Sequence, residues 1–373
     1  MRVVSIVGAR PQFVKLGPVS RGLRARGVEE FVLHTGQHYD FEMSESFFRE
    51  LSLPAPDENL GIAADSPARQ VGAMVPAIAG VLDRVAPSMT IVFGDTSSTL
   101  AGALASAFAR IPVAHVEAGM RSFNRAMPEE LNRVIVDHLS SLLLTPSRAA
   151  ERNLLAEGLG SGLFVGDVMY DVVKSVAGDA AARQVVLQRF GVRPGEYVLA
   201  TVHRAGNTDD PVALEAILQI LARLRVPVVF PVHPRTRRAI ANAGLKSRLR
   251  QGDVRAVAPT TYVETIALAA GARRVFTDSG GLQKEAFYLG VPCTTLRGET
   301  EWVETVDLGW NVVVGTDVES AVATLALPAP EPPAENPYGD GTAGERIAAA
   351  VAGWDERAQG RGGGPATELG PLT

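Results

Sequence analysis

Carboxylates stand in this sequence where apolar runs give way to polar turns, which is where chemistry is commonly built. Asp95 lies in Gly94-Asp95-Thr96, directly after the run Thr90–Phe93, and Glu117 lies in His115-Val116-Glu117-Ala118-Gly119, at the end of Val113–Val116. Glu129 and Glu130 follow Pro128 and open a stretch of helical period that carries Asn132 and Arg133. Two carboxylates that share a partly desolvated site push each other's proton affinities apart, as acid–base catalysis requires. For Glu129 and Glu130 the plain alternative is favourable charge at a helix N-terminus.

A second group of motifs suits a phosphorylated ligand. Thr277-Asp278-Ser279-Gly280-Gly281-Leu282-Gln283-Lys284-Glu285 reads as a strand, a turn of small residues and a helix start, where free N–H groups and the helix dipole favour a diphosphate. Gly280 and Gly281 leave room for phosphate, and Glu285, one turn further in, is placed to accept from a ribose. His203-Arg204, Pro231-Val232-His233-Pro234-Arg235 and Arg297-Gly298-Glu299-Thr300-Glu301 end other apolar runs and add cations. Near the start, Gly8 permits a tight turn, Pro11 opens a helix, and Arg10 and Lys15 flank it. The segment has neither a dinucleotide fingerprint nor a Walker-type loop. Together these motifs suggest an activated nucleotide, and a nucleotide-sugar fits: cations and a helix N-terminus for the diphosphate, a carboxylate for the ribose, acids for the sugar. His34, His38 and His138 read as local hydrogen-bonding residues, no pair of histidines has zinc-site spacing, and Trp302 and Trp310 read as packing aromatics.

The elements that position these residues follow from hydrophobic periodicity. Val3–Val7, Phe31–His34, Thr90–Phe93 and Val113–Val116, then Tyr197–Thr201, Val228–Pro231, Val254–Val257, Arg274–Thr277 and Pro292–Leu296, read as buried strands separated by amphipathic helical segments. That alternation predicts βαβ units and parallel sheets, hence an α/β fold of two Rossmann-like, doubly wound lobes facing a cleft. The expected divisions are a lobe over 1–168, a helical connection over 169–190, a nucleotide-binding lobe over 191–330, a Pro-rich linker and last helix over 331–355, and a disordered tail over 356–373. In parallel sheets ligands sit outside the carboxyl ends of the strands, where these motifs fall.

Composition removes other classes. With 36 Lys+Arg against 41 Asp+Glu and a net charge of −5, the chain has no excess of positive charge to neutralise a nucleic-acid backbone. Its single cysteine, Cys293, excludes an internal disulfide or a thiolate metal cluster. Apolar runs fall far short of a membrane span, and the start runs straight into a strand without a secretory pattern, so no membrane association and a cytoplasmic location are expected.

Gly8–Lys15, Gly94-Asp95-Thr96, His115–Gly119, Met127–Arg133, His203-Arg204, Pro231–Pro234, Thr277–Glu285 and Arg297–Glu304, eight motifs in order across about residues 1–355, resemble the non-hydrolysing UDP-N-acetylglucosamine 2-epimerases. The resemblance implies a GT-B fold, usually a homodimer, that interconverts UDP-N-acetylglucosamine and UDP-N-acetylmannosamine with neither NAD nor metal. It places Asp95, Glu117, Glu129 and His203 at catalytic positions, and Arg10, Lys15, Ser279, Gly281, Glu285 and Arg297 at positions that contact UDP. Arg204 and Gly280 join the latter set from the reading above. By the same resemblance Gln37, His38, Arg69 and Gln70 match residues that contact an activating second substrate molecule, although Asp40 stands where Gln is common. Gln12 stands where many members carry Glu, and Thr265 where a large apolar side chain often flanks the base. Thr35–Asp40, Phe47–Leu51 and Glu301-Trp302-Val303-Glu304 look like the branch that acts on UDP-2,3-diacetamido-2,3-dideoxyglucuronic acid, whose sugar carboxylate would need a cation near Arg121, Arg125 or Arg133. That branch is the first alternative. A hydrolysing epimerase, a GT-B glycosyltransferase and a non-catalytic sensor come after it.

Overall fold

A computed structural model describes residues 1–37, 55–63 and 66–360, the side chains of Arg10 and of 355–360 excepted. The described chain forms two compact units, one of Met1–Asp171 together with the chain from Tyr338 onward, the other of Val172–Pro337.

The first unit alternates strand and helix: β1 (Arg2–Val7), α1 (Arg10–Ala25), β2 (Glu29–His34), β3 (Glu58–Asn59), α2 (Pro67–Val85), β4 (Met89–Phe93), α3 (Ser97–Phe108), β5 (Val113–Val116), α4 (Pro128–Leu139), β6 (Leu142–Thr145), α5 (Arg148–Ala156) and β7 (Leu163–Phe164). Its strands form a parallel sheet in the order β3-β2-β1-β4-β5-β6-β7. The apolar face is continuous because β4 is buried throughout and β1 from Val3 onward: Val4, Ile6 and Val92 pack against Met74 and Ile78 of α2 and Ala101 and Ala105 of α3. Small residues let α3 approach closely, since a Cβ on Gly102 would come within 2.9 Å of Ile6 Cδ1. Thr96 and Thr99 cap the start of α3 reciprocally, and its first turn is thereby fixed next to Asp95.

Two helices, α6 (Val168–Ala177) and α7 (Ala180–Arg189), lead into the second unit. It comprises β8 (Val198–Thr201), the short α8 (Ala205–Thr208), α9 (Pro211–Arg223), β9 (Val228–Pro231), α10 (Pro234–Asn242), β10 (Val254–Val257), α11 (Tyr262–Gly271), β11 (Arg274–Thr277), α12 (Gly280–Tyr288), β12 (Cys293–Thr295), α13 (Val303–Asp307), β13 (Asn311–Val313) and α14 (Val318–Ala323). The sheet is again parallel, in the order β10-β9-β8-β11-β12-β13. Val198, Ala200 and Phe230 face Leu214, Ile217 and Leu221 of α9 on one side, while Leu199, Val229 and Val275 face Leu268 and Leu282 on the other. Both sheets reverse direction of growth in the middle, at β1/β4 and at β8/β11, and each such switch point opens a crevice at the strands' carboxyl ends.

The last element of the described residues is α15 (Ala343–Gly360), which packs on α1 of the first unit. The contact is close: a Cβ on Gly22 would lie 2.8 Å from Ala348 Cβ, and one on Gly344 would lie 2.7 Å from Pro18. Asp171 caps this helix from a distance, its carboxylate accepting from Ala343 N at 3.0 Å and Gly344 N at 2.7 Å. The helix includes 356–360, which the sequence reading assigned to a tail. Among the described residues, no helix is long and apolar enough to cross a membrane.

Candidate active site

At the first switch point, the turn after β1 lies beside the turn after β4. Gly8 is there for proximity: a Cβ would collide with the hydroxyls of Ser98 and Thr35. Gln12, fully buried, ties the two turns together. Its Oε1 accepts from Gly8 N at 2.8 Å and Ala9 N at 3.0 Å, and its Nε2 donates to Phe93 O at 2.8 Å and Thr99 Oγ1 at 3.0 Å. An amide meets all four partners, whereas an ionised glutamate would have no hydrogen to give the Phe93 carbonyl.

Asp95 and Glu117 stand at the ends of the adjacent strands β4 and β5, and each has its own cation. Arg133 of α4 bonds Asp95 Oδ2 at 2.5 Å, and Lys15 of α1 pairs with Glu117. Lys15 therefore sits among the acids of the first unit. Burial alone would lower its pKa, but Glu117 alongside, with Asp95 and Asp167 nearby, raises it above the ordinary lysine value. Glu117 has φ 73°, left-handed backbone in a residue with a Cβ, and its Oε2 lies 3.3 Å from where a Gly94 Cβ would be. Such strain persists where surrounding bonds over-determine it. Here Glu117 N and Ala118 N both donate to Leu144 O at 3.1 Å, while Gly94 N donates to Val116 O at 2.9 Å.

Asp137 binds the next turn, accepting from Gly119 N at 3.0 Å and from Arg121 at 2.7 Å. Arg121 is clamped on its other side by Glu157 in two bonds of 2.7 Å.

The pair Glu129 and Glu130 divides between two tasks. Glu130 is buried and ties down the preceding turn, accepting from Ser122 N, Ser122 Oγ, Phe123 N and Arg133 at 2.8 to 3.0 Å. Burial would raise its pKa, but these donors hold it below the ordinary glutamate value. Glu129 is exposed and lines a cavity of about 360 Å³ with Asp95, Thr96, Ser97, Asn132, Gln37 and Gln70. The same cavity thus brings two of the expected catalytic acids beside two of the expected effector residues. Gln37 is anchored there by Ser98 N at 3.0 Å and Ser98 Oγ at 2.6 Å. Arg69 belongs to the first turn of α2, where its N–H meets the Ser66 cap. His38 lies outside the described residues, and so does the side chain of Arg10, the first residue of α1.

At the second switch point, Asp278 organises the turn after β8. Its buried carboxylate accepts from His203 N, Arg204 N and Asn207 Nδ2, each at 3.0 Å, and faces His203 Nδ1 at 3.6 Å. In the sequence Asp278 stands within the Thr277–Glu285 motif without a role, because only the fold shows which N–H groups donate to it. His203 lies 5.6 Å from the His233 ring between centroids. Burial, helped by His233 and Arg204 and opposed by Asp278, lowers the His203 pKa below the usual histidine value.

Ser279 is the N-cap of α12, so the free N–H groups of that helix begin at Gly280 and Gly281. The two glycines differ: a Cβ on Gly280 would come within 2.5 Å of Glu301 Oε1, whereas one on Gly281 would meet only Ser279 Oγ at 3.9 Å. Arg204 reaches the same turn, with Nη2 3.5 Å from where a Gly280 Cβ would be, and Arg297 bonds Glu301 at 3.2 Å. Glu285 is buried one turn into α12. Trp302, read from sequence as a packing aromatic, also supports the turn: its Nε1 donates to Gly280 O at 2.7 Å, and Lys284 lies 4.0 Å over its ring.

Residues 21–352 match the family model for UDP-N-acetylglucosamine 2-epimerase. A Methanococcus maripaludis protein named UDP-N-acetylglucosamine 2-epimerase homolog is 47% identical over 329 residues, 87% of this chain and 92% of that protein. The UDP-2,3-diacetamido-2,3-dideoxy-D-glucuronate 2-epimerase of Pseudomonas aeruginosa is 43% identical over 93% of this chain and 98% of its own. The crystal structure of Methanocaldococcus jannaschii UDP-GlcNAc 2-epimerase with UDP-GlcNAc and UDP superposes with a TM-score of 0.82 at 38% identity, covering 94% of this chain and 99% of that one.

Proposed function

This chain belongs to the UDP-N-acetylglucosamine 2-epimerase family, and from that membership we propose its reaction: inversion at carbon 2 of UDP-N-acetylglucosamine to UDP-N-acetylmannosamine, without net hydrolysis. The observation that carries the reading is the pair Asp95 and Glu117 at adjacent strand ends, each oriented by its own cation, with Glu129 on the wall of the Asp95 cavity. A base removes the carbon-2 proton, the electron pair forms the carbon 1–carbon 2 double bond, and UDP leaves with the electrons of the carbon 1–oxygen bond. UDP then adds back to the glycal while a proton returns to carbon 2 from the opposite face. Two acid–base groups on two faces are needed, and the first unit offers Asp95, Glu117 and Glu129. Stabilisation of the departing diphosphate is assigned to the second unit: His203, Arg204, Arg297 and the N–H groups at Ser279–Gly281, with Glu285 for the ribose. Arg10 joins that set on the family resemblance, and Lys15 serves by fixing Glu117.

A second reading, the diacetamidoglucuronate substrate, is favoured by the Pseudomonas relative. Of the three cations named for its carboxylate, Arg121 is held by Asp137 and Glu157 and Arg133 by Asp95 and Glu130, which makes Arg125, in an exposed turn, the candidate. Gln37 and Gln70 beside the Asp95 cavity are the candidate contacts for an effector molecule. A homodimer is supported by an exposed apolar stripe along α4 and its N-cap, Met127, Leu131 and Ile135, spaced four residues apart. A cytoplasmic setting suits a UDP-sugar, an activated metabolite of the cell interior.

The test is turnover of each sugar nucleotide by wild type, Asp95→Asn and Glu117→Gln, alongside UDP calorimetry. Wild type should form UDP-N-acetylmannosamine, and each variant should lose roughly 10²- to 10⁴-fold in kcat while still binding UDP. Turnover of the diacetamidoglucuronate alone would establish the second reading, and loss of UDP binding in the variants would contradict the role assignment.

A further inference from the structure

His115 belongs to the motif that carries Glu117, yet the reaction as drawn gives it nothing to do. It is fully buried, as is Asp137. Its Nδ1 lies 2.6 Å from Asp137 Oδ1 and its Nε2 lies 2.8 Å from the carbonyl oxygen of Gly94. A carbonyl oxygen has no hydrogen to give, so Nε2 must donate. Asp137 accepts at its other oxygen from Gly119 N and from the Arg121 guanidinium, whose positive charge favours the carboxylate, and a carboxylate has no hydrogen to give, so Nδ1 donates too. Both bonds exist at once only with a hydrogen on each nitrogen.

The two acceptors sit in telling places. Gly94 is the residue before Asp95. Asp137 is on α4, and through Gly119 it holds the turn that begins at Glu117; α4 also supplies Arg133 to the Asp95 carboxylate and Asn132 Nδ2 to Asp95 O at 2.8 Å. One ring therefore connects the turn of one acid, the turn of the other, and the helix that orients the first.

We propose that His115 is the positioning residue of this catalytic edge, its two N–H groups fixing the Gly94-Asp95 turn and, through Asp137, the Glu117–Gly119 turn in a single arrangement. The proposal rests on the epimerase reading for its kinetic consequence but not for its chemistry. His115→Gln retains a donor near Gly94 and loses the one to Asp137, whereas His115→Asn does the reverse. A misplacement of about 1 Å costs up to about 100-fold in rate, so each variant should lower kcat by about 10- to 100-fold while KM and UDP affinity move by less than about threefold. His115→Gln combined with Asp137→Asn should be no worse than the poorer single variant, since both break the His115–Asp137 connection.

The accompanying measurement is nitrogen-15 NMR of the His115 ring in the full-length wild-type protein. Both nitrogens should show N–H-type shifts at neutral pH, as two donated bonds require. A pyridine-type nitrogen at either ring position, wild-type kcat in both variants, or UDP affinity falling in step with kcat would overturn the proposal. Should wild type epimerise no UDP-sugar, the functional reading fails and the NMR result alone decides for or against the doubly donating ring.

Discussion

Strain and charge at single residues set the chemistry available here. The left-handed Glu117 costs on the order of 1–3 kcal/mol and is held by its ladder bonds and by Lys15. His203 is the residue whose protonation should respond to ligand. Burial, with His233 and Arg204, lowers its pKa below about 6.5, so the ring is neutral at pH 7 in the free protein. A diphosphate placed against it favours the cation, so UDP binding should take up a proton near neutral pH, and affinity should fall as pH rises through the bound-state pKa. The folding contribution has the opposite requirement: the lowered pKa means the unfolded chain binds the proton better, so the contribution is present above about pH 6.5 and declines below it. Calorimetry of UDP binding in two buffers of different ionisation enthalpy should give different heats for wild type and equal heats for His203→Gln; equal heats for wild type would contradict the assignment. At this scale the sequence displays residue types but not their partners. The acids, His203-Arg204 and the small-residue turn were legible as motifs. The division of Glu129 from Glu130, the use of Lys15 on Glu117, and the roles of Asp278, Gln12 and Trp302 depend on groups brought from 8 to 102 positions away.

Elements were easier to read where the pattern agrees with propensity. β1, β4, β8 and β9 are short β-branched or apolar runs bounded by turns, and their burial makes them plain. β6 was not anticipated: Leu142-Leu143-Leu144 has no β-branched residue, and it is a strand because its parallel ladder with β5 completes that edge of the sheet. β13 is only three residues long and escaped notice for want of length. The return of α15 to the first unit was likewise invisible, since its cap, Asp171, lies 172 residues before the N–H it receives. That cap makes a prediction. Asp171→Ala should cost about 1–2 kcal/mol and lower the thermal midpoint by about 2–4 °C, with Asp171→Asn milder because one acceptor remains; an unchanged midpoint in scanning calorimetry would show that the packing of Gly22, Gly344 and Ala348 suffices alone.

Across the whole molecule the same device is used twice: a parallel sheet that reverses its order and places polar turns at the switch, acids and their cations in one unit, His203, Asp278 and the α12 N-terminus in the other. The α4 stripe bears on assembly. Wild type should sediment as a dimer at micromolar concentration, and Leu131→Arg with Ile135→Arg should sediment as a monomer; a monomeric wild type would remove the dimer from the account. The central claim, proton removal and return at carbon 2 by way of an eliminated intermediate, is tested most directly by running the reaction in deuterated water and reading carbon 2 of the product by proton NMR. The account predicts UDP-N-acetylmannosamine with deuterium at carbon 2 and little free sugar. Product that retains its original carbon-2 hydrogen, or free sugar formed in step with UDP, would contradict it.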